Sequence, residues 1–182
     1  MPSMCSASGC CVSLAPSAIR VVVRINALAT PWGHDDLAAA VAAGADGILA
    51  PKVDSAAAIA ELDQALTSAG APADMALWAM IETPMAILNI GEIAACGRSS
   101  RLAVLVMGTN DLAKETGVEP DPQRQCFLAA LSMTVTAASA YGLYVIDGVY
   151  NDIGNAEGLL AEARQGRQLG FDGKSLIHPS QL

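Results

Sequence analysis

One pattern repeats along this chain from residue 19 onward and restricts the folds open to it. Each repeat has a short apolar run, a loop, a helical stretch and a glycine. The apolar runs are rich in Val, Ile and Leu without polar alternation, which is typical of strands buried on both faces of a parallel sheet. The pattern predicts six strands: Ile19–Val23, Gly47–Ala50, Leu77–Ile81, Leu102–Met107, Leu143–Ile146 and Ser175–Ile177.

Helical patterns with recognisable ends lie between the strands. Ser55 is a suitable N-cap, and Thr83 precedes Pro84 at a first helical position. The predicted helices are Asp36–Ala43, Ala56–Ala69, Pro84–Ala95, Pro122–Tyr141 and Ala156–Leu169. Each is followed by a glycine where a left-handed residue often ends a helix: Gly44, Gly70, Gly97, Gly142 and Gly170. Alternating strands and helices predict an α/β fold with parallel strands and right-handed crossovers.

Polar side chains at the ends of the predicted strands favour a closed barrel over an open sheet. In parallel α/β proteins the active site lies at the carboxyl ends of the strands. The glycine-rich phosphate-binding motifs of nucleotide-binding open sheets are absent. We therefore expect a TIM-type barrel whose active-site edge carries these strand-end residues: Arg24, Lys52, Glu82, Asp111, Asp147 and His178.

Composition excludes several classes of partner. The net charge is −8, which offers no basic surface to nucleic acid or to an anionic membrane. No apolar run reaches the length of about 20 residues that spans a bilayer. The five cysteines lack disulfide or metal-site spacing, as expected in a reducing cytoplasm. Residues Met1–Ala18 lack a secretory signal pattern and are predicted to be a disordered leader.

Glu82 and Asp111 are the candidate metal ligands. Each follows an apolar strand, and a buried carboxylate without a partner is very costly. Two carboxylates on neighbouring strand ends suit Mg²⁺, which typically takes one or two protein carboxylates and completes its shell with other oxygens. Alternatively, Glu82 pairs with Arg24 or Lys52, and Asp111 caps the helical turn Leu112–Glu115. Spacing alone leaves both interpretations open.

The other strand-end residues have similar alternatives. Arg24 carries the planar fork that clamps a carboxylate, or it forms a structural ion pair. Lys52 could meet a phosphate or neutralise Glu82. The backbone N–H groups of residues 108–110 (Gly108, Thr109 and Asn110) could cradle a carboxylate or keto oxygen. For Asp147 and His178, capping or hydrogen bonding at the rim explains the residue as well as catalysis does.

Several segments around these residues resemble the citrate lyase β-subunit family, within the HpcH/HpaI aldolase and citrate lyase superfamily. The resemblance runs in order from about residue 19 to residue 182. The segments are Val23–Asn26, Thr30–Gly33, Ala43–Lys52, Trp78–Thr83, Val106–Glu115, Ile146–Asn151 and Gly170–Gln181.

The resemblance implies a Mg²⁺-dependent carbon–carbon lyase acting on a CoA thioester of the citryl-, malyl- or citramalyl-CoA kind. Glu82 and Asp111 match the family's metal carboxylates, and Arg24 matches its substrate arginine. It also implies a homo-oligomer. Thioester hydrolysis, aldolase chemistry on free 2-keto acids, and an inactive remnant are the alternatives.

The resemblance also predicts that this chain holds an incomplete barrel. Relatives have two strands before the strand that ends at Arg24, and a last helix and lid after the segment around His178. In related lyases an acid in that last segment, contributed by a neighbouring subunit, protonates the leaving thioester enolate. We therefore expect residues 19–182 to form a partial (βα)8 barrel of about six strands.

Overall fold

The computed structural model of the chain describes residues 19–182, so the predicted leader lies outside the described residues. Within them, parallel strands alternate with helices, which confirms the predicted α/β class. The strands are β1 (Val22–Arg24), β2 (Gly47–Ala50), β3 (Ala76–Ile81), β4 (Leu102–Met107), β5 (Tyr144–Asp147) and β6 (Gly173–Lys174). The helices are α1 (Gly33–Ala42), α2 (Ala56–Ser68), α3 (Pro84–Leu88), α4 (Ile90–Ala95), α5 (Thr109–Thr116), α6 (Leu128–Tyr141) and α7 (Ala156–Leu169).

The six strands form one curled sheet, a half-barrel in which each strand pairs with the next along the chain. Among the described residues, β1 and β6 each pair with a single neighbour. The core runs through the central strands β3 and β4, where Leu77, Ile81 and Leu105 have no exposed surface. Because all strands are parallel, their carboxyl ends share one edge of the sheet.

The helix ends follow the expected cap chemistry in most places. The hydroxyl of Ser55 accepts a hydrogen bond from the Ala58 N–H at 3.3 Å, and the hydroxyl of Thr83 accepts one from the Ala86 N–H at 3.0 Å. Four of the five glycines predicted at helix ends have positive φ. Gly97 is the exception, because it lies in a 3-10 turn, Cys96–Arg98. The fifth left-handed glycine is Gly117, which ends α5.

Several predicted element boundaries were wrong, and the first strand and first helix lie at Val22–Arg24 and Gly33–Ala42 instead of Ile19–Val23 and Asp36–Ala43. The stretch predicted as one helix from Pro84 divides at Asn89, whose side chain donates to the Asp54 carbonyl at 2.9 Å. The next helix begins at residue 128 instead of 122, because the Asp121 carboxylate accepts the N–H groups of Gln123 and Gln125 and holds them in a turn.

The sixth strand was predicted at residues 175–177 but lies at Gly173–Lys174, where it pairs with Ile146 and Asp147. No helix among residues 19–182 combines the length and apolar character needed to cross a bilayer.

Candidate metal and substrate site

Four of the predicted strand-end residues come together at the carboxyl edge of the sheet. Arg24 ends β1, Lys52 lies two residues after β2, and Glu82 directly follows β3. Asp111 lies in the first turn of α5, which begins just after β4. The strands are in register here, with Ala50 beside Ala79 and Ile81 beside Met107.

Glu82 is a buried carboxylate, with 3% of its surface exposed. Its Oε1 accepts a hydrogen bond from the backbone N–H of Lys52 at 2.8 Å. Gly108 packs directly against it: a Cβ at Gly108 would lie 2.4 Å from Glu82 Cβ and 2.7 Å from Oε2. A glycine is therefore required beside Glu82 by close approach, although the φ of Gly108 is an ordinary −110°.

The surroundings of Glu82 shift its pKa upward from the ordinary value of 4.5. Burial is the largest cause, and the negative charge of Asp111 adds to it. The Lys52 N–H and the charges of Lys52 and Arg24 lower the pKa without cancelling the effect of burial. The ionised form of Glu82 is therefore costly to hold in the folded chain.

The ammonium of Lys52 forms no ion pair with Glu82, so the predicted alternative of a Glu82–Lys52 ion pair was wrong. Its Nζ lies 2.7 Å from Glu115 Oε1 and 3.5 Å from Asp111 Oδ1. The hydrogen bond to Glu115 raises the pKa of Lys52. Lys52 also has a φ of 50°, in the left-handed region that few non-glycine residues adopt. That backbone conformation accompanies the N–H contact with Glu82.

Asp111 is half-exposed, with 47% of its side-chain surface accessible. In the described part of the chain its side chain accepts no backbone N–H and contacts only Lys52, so Asp111 does not cap the turn Leu112–Glu115. Among residues 19–182, no hydrogen bond reaches Glu82 Oε2 or Asp111 Oδ2. Each carboxylate therefore has one uncommitted oxygen.

The described residues hold no group of three or more His, Cys, Asp or Glu arranged as a metal cage. Two carboxylates with uncommitted oxygens fit Mg²⁺, which needs only one or two protein ligands.

Gly108, Thr109 and Asn110 form the start of α5 beside Glu82. The amides of Asn110 and Asn151 exchange two hydrogen bonds, at 3.1 and 2.7 Å, and so join α5 to the loop after β5. Thr109 is buried against Gly148, where a Cβ would lie 2.8 Å from its hydroxyl oxygen. These contacts hold the first turn of α5 in place next to the two carboxylates.

Comparison with known proteins identifies the family. The family model described as HpcH/HpaI aldolase/citrate lyase matches residues 6–179. The chain belongs to this family. It is 50% identical over 161 residues to a (3S)-malyl-CoA thioesterase of Cereibacter sphaeroides, covering 88% of this chain and 53% of that protein. It is 37% identical over 169 residues to citrate lyase subunit beta of Escherichia coli K12, covering 90% of this chain and 55% of that protein.

A solved structure agrees with these matches. The citrate lyase beta subunit of M. tuberculosis, complexed with oxaloacetate and magnesium, superimposes with a TM-score of 0.73 at 33% identity. The match covers 88% of this chain and 68% of the solved chain. The chain thus spans about half the length of the curated relatives it matches.

Asp147 of this HpcH/HpaI family member lies in a separate, buried cluster of charges. The Arg124 guanidinium donates to both of its oxygens, at 2.7 and 2.9 Å. Lys174 Nζ lies 3.4 Å from Asp147 and 2.6 Å from Glu162. This cluster ties β5, β6, α7 and the loop before α6 together. The structure therefore favours a structural role for Asp147.

His178 is exposed and caps a 3-10 turn, Pro179–Gln181. Its Nδ1 accepts the Ser180 N–H at 3.2 Å and lies 2.8 Å from the Ser180 hydroxyl. Of the two interpretations left open for His178, capping describes its contacts.

The sequence interpretation did not single out Glu115, Arg124 or Lys174. Glu115 follows Asp111 by four residues, which places both on one face of a helix, so this spacing could have revealed it. Arg124 had no such signal, because its position depends on a left-handed φ of 54° within an irregular loop.

Proposed function

We propose that this chain carries the metal site of a Mg²⁺-dependent carbon–carbon lyase acting on the CoA thioester of a hydroxy acid. The observation that carries the proposal is the buried carboxylate of Glu82, which keeps one oxygen uncommitted beside Asp111. The kinship with malyl-CoA thioesterase and with citrate lyase subunit beta supports the substrate class. The magnesium and oxaloacetate bound by the M. tuberculosis relative support the cofactor.

Glu82 and Asp111 would hold the magnesium, and the first turn of α5 would receive substrate oxygens. Bound Mg²⁺ would supply Lewis-acid polarisation of the oxygen on the carbon whose bond breaks. The Gly108 N–H is already committed, because it donates to the Ile81 carbonyl at 3.0 Å. The backbone N–H groups of Thr109 and Asn110 begin α5, so their partial positive charge is available to the same region. They would stabilise negative charge that develops on a carboxylate or keto oxygen.

Arg24 would bind the substrate carboxylate. It is exposed at the end of β1, and among the described residues it forms no ion pair. Its charge nevertheless acts on the buried Glu82. A guanidinium so placed can hold a carboxylate through two parallel hydrogen bonds and keep the substrate in line with the metal.

In the proposed reaction the hydroxyl of the substrate loses its proton and becomes a keto group as the carbon–carbon bond breaks. The other half leaves as a thioester enolate and takes up a proton to give acetyl-CoA. The products are acetyl-CoA and a 2-keto acid.

The alternative is hydrolysis of the thioester to free CoA, favoured by the 50% identity to a (3S)-malyl-CoA thioesterase. The two reactions share the carboxylate and arginine contacts, and they differ in the CoA product.

The test is to supply malyl-CoA and a citryl-type thioester with Mg²⁺ and to separate the CoA products by chromatography. We expect acetyl-CoA that disappears with EDTA and in Asp111→Asn, but persists in the folded control Asp152→Asn. Free CoA in place of acetyl-CoA would support hydrolysis. Pyruvate and CO2 formed from oxaloacetate without any thioester would point to chemistry on free 2-keto acids, the aldolase alternative. No product from any of these substrates would contradict the proposal and favour an inactive remnant.

We further propose that the half-barrel is part of an eight-stranded (βα)8 barrel that works as a homo-oligomer. The sequential parallel order of the six strands supports the barrel, since closure requires each strand to pair on both sides. Expression with the flanking coding sequence tests both parts of this proposal: a crystal structure of the longer chain would show whether eight strands close, and its mass in solution would give the number of subunits.

A further inference from the structure

Lys52 contacts the candidate site in two separate ways. Its backbone N–H donates to Glu82 Oε1, a contact that any residue other than proline could make in this conformation. Its ammonium contacts two carboxylates of α5 instead, 2.7 Å from Glu115 and 3.5 Å from Asp111. The side chain therefore has a role that the backbone contact does not explain.

We propose that Lys52 is a positioning residue whose ammonium exchanges with the magnesium ion at Asp111. In the metal-free chain the ammonium neutralises Asp111. When the ion binds, Lys52 gives up Asp111 and is retained by Glu115. This inference rests on the proposed magnesium site, since it concerns how that site is filled.

The arrangement of the three side chains supports an exchange. Glu115 follows Asp111 by one turn of α5, so both carboxylates lie on the same face of the helix. The contact with Glu115 is the shorter of the two, and the contact with Asp111 is a looser one at 3.5 Å. Losing Asp111 therefore requires only a small rotation of the flexible lysine stem, and the ammonium keeps one partner throughout.

A purely structural role accounts for the contacts less well. The side chains of Lys52 and Asp111 are 48% and 47% exposed, and ion pairs this exposed contribute little to stability. The same pair matters more to a divalent ion, because an ammonium a few ångströms away repels it and occupies one of its ligands.

Divalent-ion binding to the full chain tests the proposal without any activity assay. Free Mn²⁺ is measured by its EPR signal, and Mg²⁺ is then added to displace the bound Mn²⁺. We expect Lys52→Met to bind both ions about threefold to fivefold more tightly than the wild type. Lys114→Met is the matched control, since it removes the same charge from a lysine on α5 that has no ion-pair partner among the described residues. Its affinity should stay within about twofold of the wild type.

Glu115→Gln provides the opposite change. Without Glu115 the ammonium is left to Asp111 alone, so we expect the affinity for Mn²⁺ to fall about threefold. In the Lys52→Met background the same substitution should have almost no effect, because the competing ammonium is gone. This loss of effect distinguishes exchange from the simple addition of charges.

Lys52→Asn guards against a folding defect, because asparagine tolerates the left-handed backbone found here. It should melt like the wild type and bind Mn²⁺ more tightly. Unchanged or weaker binding in folded Lys52→Met and Lys52→Asn would overturn the exchange while leaving the metal site intact. Equal effects of Glu115→Gln in both backgrounds would also overturn it. Absence of Mn²⁺ binding by the wild type would overturn the proposed function itself.

Discussion

At the scale of single residues, burying the ionised side chain of Glu82 lowers the free energy of unfolding. Burial raises its pKa, so the folded chain favours the protonated form more than the unfolded chain does. The stabilisation that comes with the raised pKa is fully present below the ordinary pKa of 4.5, which applies to the unfolded chain. It is lost as the pH rises through the higher pKa of the folded state.

Glu82→Gln should therefore stabilise the metal-free chain at pH 7. Glutamine keeps the acceptor for the Lys52 N–H and carries no charge to bury. The gain in the free energy of unfolding should shrink as the pH is lowered. It should vanish below about pH 4, where Glu82 of the wild type is protonated in both the folded and the unfolded state. Urea unfolding from pH 4 to pH 7 in EDTA measures it. The interpretation of Glu82 would be contradicted if Glu82→Gln were less stable than the wild type at pH 7. It would also be contradicted if the difference in the free energy of unfolding did not change with pH.

Gly108 is the residue that lets the chain pass Glu82 closely. In Gly108→Ala the new Cβ would clash with Glu82 Cβ at 2.4 Å, within the buried part of the site. We expect a loss of about 1–3 kcal/mol in the free energy of unfolding, together with weaker Mn²⁺ binding.

Gly91→Ala on α4 is the control for the same substitution, because nothing lies within 4 Å of its Cβ position. It should be stabilising by about 0.5–1 kcal/mol. If Gly108→Ala is as stable as the wild type and binds Mn²⁺ normally, the close packing is not essential.

At the scale of secondary-structure elements, the cluster around Asp147 joins the last strands to α7. The side chains of Arg124, Asp147, Lys174 and Glu162 are 6%, 1%, 10% and 11% exposed. Removing one partner from such a buried network leaves another charge uncompensated, which is far costlier than losing a surface pair.

Asp147→Asn should lower the free energy of unfolding by about 3–5 kcal/mol. The exposed Asp152→Asn should change it by less than about 0.5 kcal/mol. Chemical denaturation of both variants checks the difference. Equal stabilities would mean that the cluster does not hold β5, β6 and α7 together.

The elements that the sequence predicted are those determined by local pattern. Continuous apolar runs located β2 and β4 at their observed bounds, and cap residues located the start of α2. The division of one predicted helix at Asn89 depends on a contact with the Asp54 carbonyl, and β6 is set by its pairing with β5. Both are tertiary contacts that a local pattern does not contain.

The same distinction applies to the site. Strand-end position was enough to select Arg24, Lys52, Glu82 and Asp111, since parallel strands bring their carboxyl ends together. The partners of those side chains were not predictable in the same way. Pairing with Glu82 was one of the alternatives left open for Lys52; its backbone N–H contacts Glu82 while its ammonium pairs with Glu115, a residue that strand-end position does not select.

At the scale of the whole molecule, the sheet has two edges among the described residues. β1 and β6 each present one side that no described strand covers. Large apolar side chains lie exposed near both, including Val21 at 59% and Ile177 at 49%. Uncovered strand edges with apolar neighbours promote pairing between chains.

We therefore expect a chain limited to these 182 residues to self-associate at micromolar concentration. Sedimentation velocity over a range of concentrations measures this association. A monodisperse monomer with a sharp thermal transition would show that the edges are protected.

The central claim is that the chain carries a magnesium site formed by Glu82 and Asp111, and metal binding tests it most directly. Mn²⁺ binding should be measured for the wild type and for three isosteric variants of strand-end acids: Glu82→Gln, Asp111→Asn and Asp147→Asn. The account predicts about one Mn²⁺ per chain, displaced by Mg²⁺. Mn²⁺ binding should be lost in Glu82→Gln and Asp111→Asn, and it should be retained by the folded fraction of Asp147→Asn. Undiminished binding in folded Asp111→Asn, or loss confined to Asp147→Asn, would contradict it.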